Sequence, residues 1–133
     1  MNIFIPCLEK IGILNNNLQL DIMTHKIGKT SEDSYIKVFD GIKRKTLVYG
    51  DNTLLTEFIL EKDKILPMHS HPEEQTGYLV SGHIILTVGG ERHEMKAGDS
   101  WAIPGNTVHG AETIEDSVAV EIFSPVREDY IPQ

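Results

Sequence analysis

In the stretch "HSHPEEQTGYLVSG", residues 69–82, two histidines stand one residue apart and Gln75 follows with three residues between. Side chains alternate faces along an extended backbone, so His69 and His71, at i and i+2, share a side. If that side is the inside of a barrel, both imidazoles converge on one point. Neutral imidazole is the commonest ligand of zinc, nickel, iron and copper, at about 2.0–2.1 Å for zinc. The alternative is a pair of loop histidines in solvent. A third histidine arriving at the same place separates the two readings. His109, just after the turn "PGN", is the candidate. His25, His83 and His93 fit less well, because the last two sit at hairpin edges where solvent is expected.

The second chemical stretch is "VAVEIFSPVREDY", residues 118–130. Alternation puts Ala119, Glu121 and Phe123 on one face and Val118, Val120 and Ile122 on the other. Burying the Glu121 charge without a partner is costly, so its face is expected to look into a wet cavity. The competing reading is an edge-strand glutamate in water. The aliphatic face is assigned to an intersheet or subunit contact. Arg127, after Pro125, either folds back over the cavity mouth or stands exposed in the C-terminal tail.

These residues need a scaffold, and from Gly41 onward the chain reads as strands. Short runs rich in Val, Ile, Leu, Thr and aromatics fall at 43–49, 53–60, 76–80, 83–88, 92–95, 100–103, 108–111 and 118–123. Turn signals separate them: "GDN", "SG", "VGGE", "AGD", "PGN" and "ED". Gly89-Gly90 is a two-residue hairpin signal, since both positions of such a turn can require φ > 0. No helical period is sustained, which points to an all-β barrel or sandwich. A chain of 133 residues suits one domain with a single core.

Composition excludes several classes. Twelve Lys and Arg stand against 20 Asp and Glu, for a formal net charge of −8. A nucleic-acid binder needs a basic stripe to neutralise phosphates, so no nucleic-acid partner is expected. An anionic small molecule remains compatible, because a single arginine in a pocket outweighs a distant field. Cys7 is the only cysteine, which rules out an intramolecular disulfide. "GKT" at 28–30 lacks the earlier glycine of a phosphate loop, since Met23 stands there. The N-terminus has no signal-peptide pattern, and no run approaches the roughly 18 apolar residues that span a bilayer. The expectation is a cytoplasmic protein without a membrane partner.

Two motifs now stand in order. H-x-H, three residues, a ligand, six residues and glycine are His69, His71, Gln75 and Gly82. Glycine, five residues, P-x-[GN], two residues and histidine are Gly98, Pro104, Asn106 and His109. Together they resemble the two motifs of the cupin superfamily. The resemblance implies a single-domain jelly-roll barrel (a double-stranded β-helix) over residues 41–126. Residues 1–40 would be an N-terminal arm or extra strands, and 127–133 a C-terminal tail. It also implies one divalent transition metal ion, whether nickel, zinc, iron or manganese, held by His69, His71, Gln75 and His109, in a homodimer. The family's third ligand after the histidine pair is typically glutamate. Gln75 offers an uncharged oxygen instead, so a bound ion would keep its full charge and attract an anionic ligand more strongly. The bland alternative is a cupin that has lost its metal.

"HSHPEEQ", "GGERHEMKAGD", "PGNTVHGA" and "EIFSPVREDY" resemble, more narrowly, small cupins of uronate catabolism. These convert 4,5-unsaturated monouronates from pectin or alginate to the linear ketonised form. The resemblance implies Glu121 and Arg127 as catalytic residues, and Phe123 and Arg127 as substrate-binding ones. An aspartate usually stands where Glu121 is, and the longer arm moves the carboxylate by about one C–C bond. Two other classes stay open: a cupin dioxygenase on the same ligands, and a non-catalytic domain that binds a small molecule.

Overall fold

The computed structural model describes Gly12–Leu14, Asn17–Gln19 and residues 24–133. Cys7, and part of the N-terminal stretch expected to be an arm or extra strands, lie outside the described residues. β1 (Gly12–Leu14) and β2 (Asn17–Gln19) form a small antiparallel pair. The remaining strands are β3 (Ile36–Phe39), β4 (Ile42–Tyr49), β5 (Leu54–Leu60), β6 (Ile65–His69), β7 (Glu74–Val88), β8 (Glu91–Lys96), β9 (Ser100–Ile103) and β10 (His109–Ser124). They join in one antiparallel arrangement, β3-β4-β5-β10-β7-β8, with β6 also on β10 and β9 also on β7. A single 3₁₀ turn, Glu128–Tyr130, follows β10. No helix among the described residues is long and apolar enough to cross a membrane.

The strand alternation expected from the sequence places the core. In β5, Leu54, Thr56, Phe58 and Leu60 are buried while their neighbours are half-buried. Ile42, Leu79, Ile84, Leu86, Ala111, Ala119 and Phe123 complete the same cluster.

The sequence divides β7 and β10 differently. It breaks β7 at Ser81-Gly82 and β10 before Val118, yet each is one long strand that pairs along its length. The "SG" and "ED" signals mark irregularities inside strands, with register shifts around Thr113–Ala119. The shift is required by burial. Gln75, Gly77 and Leu79 are buried before Gly82, and Ile84 and Leu86 after it, so the inward phase changes from odd to even. A bulge supplies the extra residue. Gly82 sits at φ 95°, and a Cβ there would lie 2.1 Å from Ser117 Oγ. The Gly89-Gly90 hairpin forms as expected, with Val88 opposite Glu91.

Candidate metal centre and its cavity

His69 ends β6 and His109 begins β10, and they are register partners across that pair. His71 follows two residues after His69, just past the strand. Asn106, in the "PGN" turn, donates its backbone N–H to the His71 carbonyl at 2.7 Å, which ties the two motifs together. The three imidazoles therefore meet: ring centroids are 4.3 Å apart for His69–His109, 5.1 Å for His71–His109 and 5.9 Å for His69–His71. One nitrogen from each lies within 4.8 Å of those of the other two. His25, His83 and His93 are not in this group, and His83 rests beside Glu94 at 3.0 Å rather than in open solvent.

The donor set fits a cation. His69 Nδ1 and His109 Nδ1 stand 2.8 and 2.7 Å from the carbonyls of Pro67 and Thr107. Those carbonyls can only accept, so Nδ1 carries the proton in each ring and Nε2 presents a lone pair. His109 Nε2 is buried with no protein partner, which is costly unless something electrophilic meets it. Burial holds His109 down at about pKa 4. Burial also lowers His71, helped by the Arg127 charge. Neutral imidazoles are what a metal requires. His71 Nε2 lies 2.7 Å from Gln75 Oε1, which can only accept, so in this arrangement Nε2 carries the proton and donates to the amide oxygen. Freeing that Nε2 as a ligand puts the proton on Nδ1, where Glu73 Oε2 waits at 3.4 Å.

Gln75 has a second partner. Its Nε2 donates to Glu121 Oε2 at 3.2 Å, and Trp101 Nε1 donates to both Glu121 oxygens at 3.1 and 3.2 Å. Register explains the meeting. Gly77 lies between Glu121 of β10 and Trp101 of β9. A Cβ at Gly77 would come within 2.2 Å of Trp101 Nε1 and 2.5 Å of Glu121 Oε2, so the two side chains close over the missing one. Burial pushes the Glu121 carboxyl up to about 8, against the pull of the Trp101 and Gln75 hydrogen bonds. Glu121 is thus on the inward face with Ala119 and Phe123, and it is held at a cavity wall by two donors.

The cavity has a volume of about 410 Å³ and is bounded by the three histidines, Gln75, Glu121 and Phe123. That lies near the lower end of the roughly 300–1,000 Å³ typical of small-molecule sites. The C-terminal tail folds over it. Arg127 lies 5.2 Å from the Phe123 ring centroid and 4.0 Å from that of Tyr130, and Thr46 Oγ1 donates to the Tyr130 carbonyl. Every residue singled out in the sequence for chemistry borders this one space.

Three residues that border the cavity escaped the sequence reading: Trp101, Arg44 and Tyr130. Alternation could have found two of them. Trp101 shares the inward phase of Ile103, and Arg44 shares that of Ile42.

Similarity to known proteins agrees with this architecture. The model of the cupin domain family matches residues 56–125. The chain is 30% identical over 102 residues to the pectin degradation protein KdgF of Dickeya dadantii (strain 3937), covering 75% of this chain and 93% of that one. It is 34% identical over 86 residues to the H2HPP isomerase of Bacillus subtilis, 62% of this chain but 36% of that protein. The structure of KdgF from Halomonas sp. superposes with a TM-score of 0.76 at 28% identity, over 81% of this chain and all of that one. With its barrel, its two motifs in order and these matches, the chain belongs to the cupin family.

Proposed function

We propose that this cupin is a metal-dependent enzyme that opens and ketonises a small anionic sugar acid, of the 4,5-unsaturated monouronate class. One observation carries the reading: the histidine cluster and a buried, doubly hydrogen-bonded carboxyl share a single cavity, with Gln75 as the bridge. Likeness to a pectin degradation protein supports the substrate class, and likeness to an isomerase supports proton transfer over oxygen chemistry.

His69, His71, His109 and Gln75 would hold one divalent ion, whose chemistry is Lewis-acid stabilisation of charge on a substrate oxygen. The rest falls to the chain. Opening the ring breaks the C1–O5 bond as the C1 hydroxyl loses its proton and becomes the aldehyde. C4 gains a proton and C5 becomes the ketone, so no oxidant or reductant is consumed. Glu121, protonated at neutral pH, gives its proton to C4 and recovers one from the C1 hydroxyl. Trp101 and Gln75 fix the carboxyl in place. Phe123 supplies an apolar wall and Arg127 a positive charge beside it.

Gln75 gains a reason here that its ligand role alone does not supply. A glutamate at this position would set a second carboxylate against Glu121, whereas the amide offers an oxygen to one side and an N–H to the other.

The test is loss of the ultraviolet absorbance of the unsaturated uronate, with the protein loaded in turn with nickel, zinc, iron and manganese. Acceleration by any of these is expected, without oxygen consumption. No acceleration by any would remove the uronate assignment, and oxygen uptake would move the reading to a dioxygenase. The same proposal places the protein in the cytoplasm as a homodimer joined through the outward face of β10.

A further inference from the structure

Arg127 is already engaged by a carboxylate of the chain itself. Its Nε and Nη2 are already taken by the two carboxylate oxygens of Asp129, at 3.2 and 2.7 Å. Asp129 thus fills the Nε–Nη2 edge of the fork and leaves only the end-on Nη1–Nη2 edge for a second anion. A second guanidinium borders the same cavity. Arg44 lies on β4, on the inward phase with Ile42, opposite Phe58 of β5. Its guanidinium carbon is 3.8 Å from the centroid of the Tyr130 ring, and that of Arg127 is 4.0 Å from the same centroid. No carboxylate pairs with Arg44 among the described residues, and its Nε is buried without a hydrogen-bond acceptor. Two like charges are thus gathered around one ring, with a single carboxylate, Asp129, paired directly to Arg127 and acting more weakly on Arg44. The deficit is the size of one anion.

We propose that Arg44 is the residue that anchors the ligand's carboxylate, and that the cavity selects molecules bearing one such group. This rests on the reading of the cavity as a sugar-acid site and names the contact that makes it one. The carboxylate sits against Arg44 at the tail end, which turns the remainder of the ring toward Glu121 and the histidines. Arg127 becomes a positioning residue: tied to Asp129, it holds Tyr130, and Tyr130 holds the Arg44 fork. A negatively charged protein can then collect an anionic ligand, because the sign is inverted locally.

The test uses the full chain as purified, with D-galacturonate as a probe that lacks the C4=C5 bond and D-galactose as its uncharged control. Isothermal titration should show binding of the acid and not of the neutral sugar. Arg44→Gln should weaken acid binding by roughly 10- to 100-fold, the loss of one charge-assisted pair. Arg44→Lys, which keeps charge without the fork, should recover part of it and serves if the glutamine variant misfolds. With the unsaturated uronate, the same variants should raise KM by a similar factor and leave kcat within about threefold. Arg44-dependent binding of the acid without turnover would sustain the anchor and remove only the assigned reaction. Equal acid affinity in wild type and a folded Arg44 variant would overturn the anchor, as would failure of the wild-type protein to prefer the acid.

Discussion

The histidine end of the cavity and the guanidinium end are assembled from different materials. At the first, His69, His71 and Gln75 come from one short stretch and His109 faces them across a strand pair. Backbone carbonyls two residues away set the tautomers of His69 and His109. At the second, Arg44 comes from an early strand and Arg127 and Tyr130 from the tail, joined by stacking and by one hydrogen bond to Thr46. One end thus presents neutral lone pairs and the other fixed cations. Glu121 sits on the wall between, kept protonated by burial. The contrast teaches that a cavity can be polarised along its length with only uncharged groups facing the metal position, provided the amide of Gln75 replaces a carboxylate and Glu73 stands behind His71.

The largest effect should come from the wall that divides the two ends. Glu121→Gln preserves shape and removes proton chemistry, so kcat should fall by about 10²–10⁴ with KM little changed. Glu121→Asp should stay active. A glutamine variant with wild-type kcat would take proton transfer away from this residue.

Breaking the histidine end comes next. His69→Ala, His71→Ala and His109→Ala should each release most of the bound metal, measured by elemental analysis. Full occupancy in all three would place the metal elsewhere. Gln75→Glu should retain metal or hold it more tightly through the added charge. Its kcat should fall nonetheless, since residue 75 would then oppose Glu121 instead of donating to it.

A subtler probe is the pH dependence of stability in protein stripped with a chelator. Glu121 is raised from its ordinary 4.5 to about 8 in the fold, so the folded state binds this proton more tightly than the unfolded chain does. Its contribution is fully present below pH 4.5 and is lost as pH rises through 8. Wild type should therefore lose stability across that window by denaturant titration, and Glu121→Gln should lose less. Parallel profiles would show that the carboxyl titrates as if in water.

The smallest effect on the site should come from the outer wall. Ile122, 44% exposed, and Tyr78 and Val80, 47% and 48% exposed, share the outward face of β7 and β10 with Val118 and Val120. Light scattering should report a homodimer at micromolar concentration. Ile122→Lys should shift it toward monomer while leaving metal content unchanged. A wild-type monomer would release this face from any subunit contact.

The sequence alone determined what depends on local spacing. Alternation along β5 and the end of β10 fixes which side chains are buried, because a strand offers only two faces. The H-x-H pair follows from the same alternation, with His109 as the candidate third histidine, whereas Gln75 is legible only through the resemblance to the cupin motif. The sequence expects Glu121 to face a wet cavity, and the fold instead buries it against the N–H groups of Trp101 and Gln75. Other features are decided by long-range register, which local spacing does not carry. Ser81-Gly82 reads as a turn, and only the pairing of Ser81 with Val118 and of His83 with Glu115 makes it a bulge within β7. Gln75 reads as a weak metal ligand, and only β7–β10 pairing reveals its N–H on Glu121. Arg44 reads as one more surface cation in "IKRKTLVY", until the tail folds back and sets Tyr130 against it. Charge balance inside the cavity is a sum over residues distant along the chain, and that sum exists only once they are brought together.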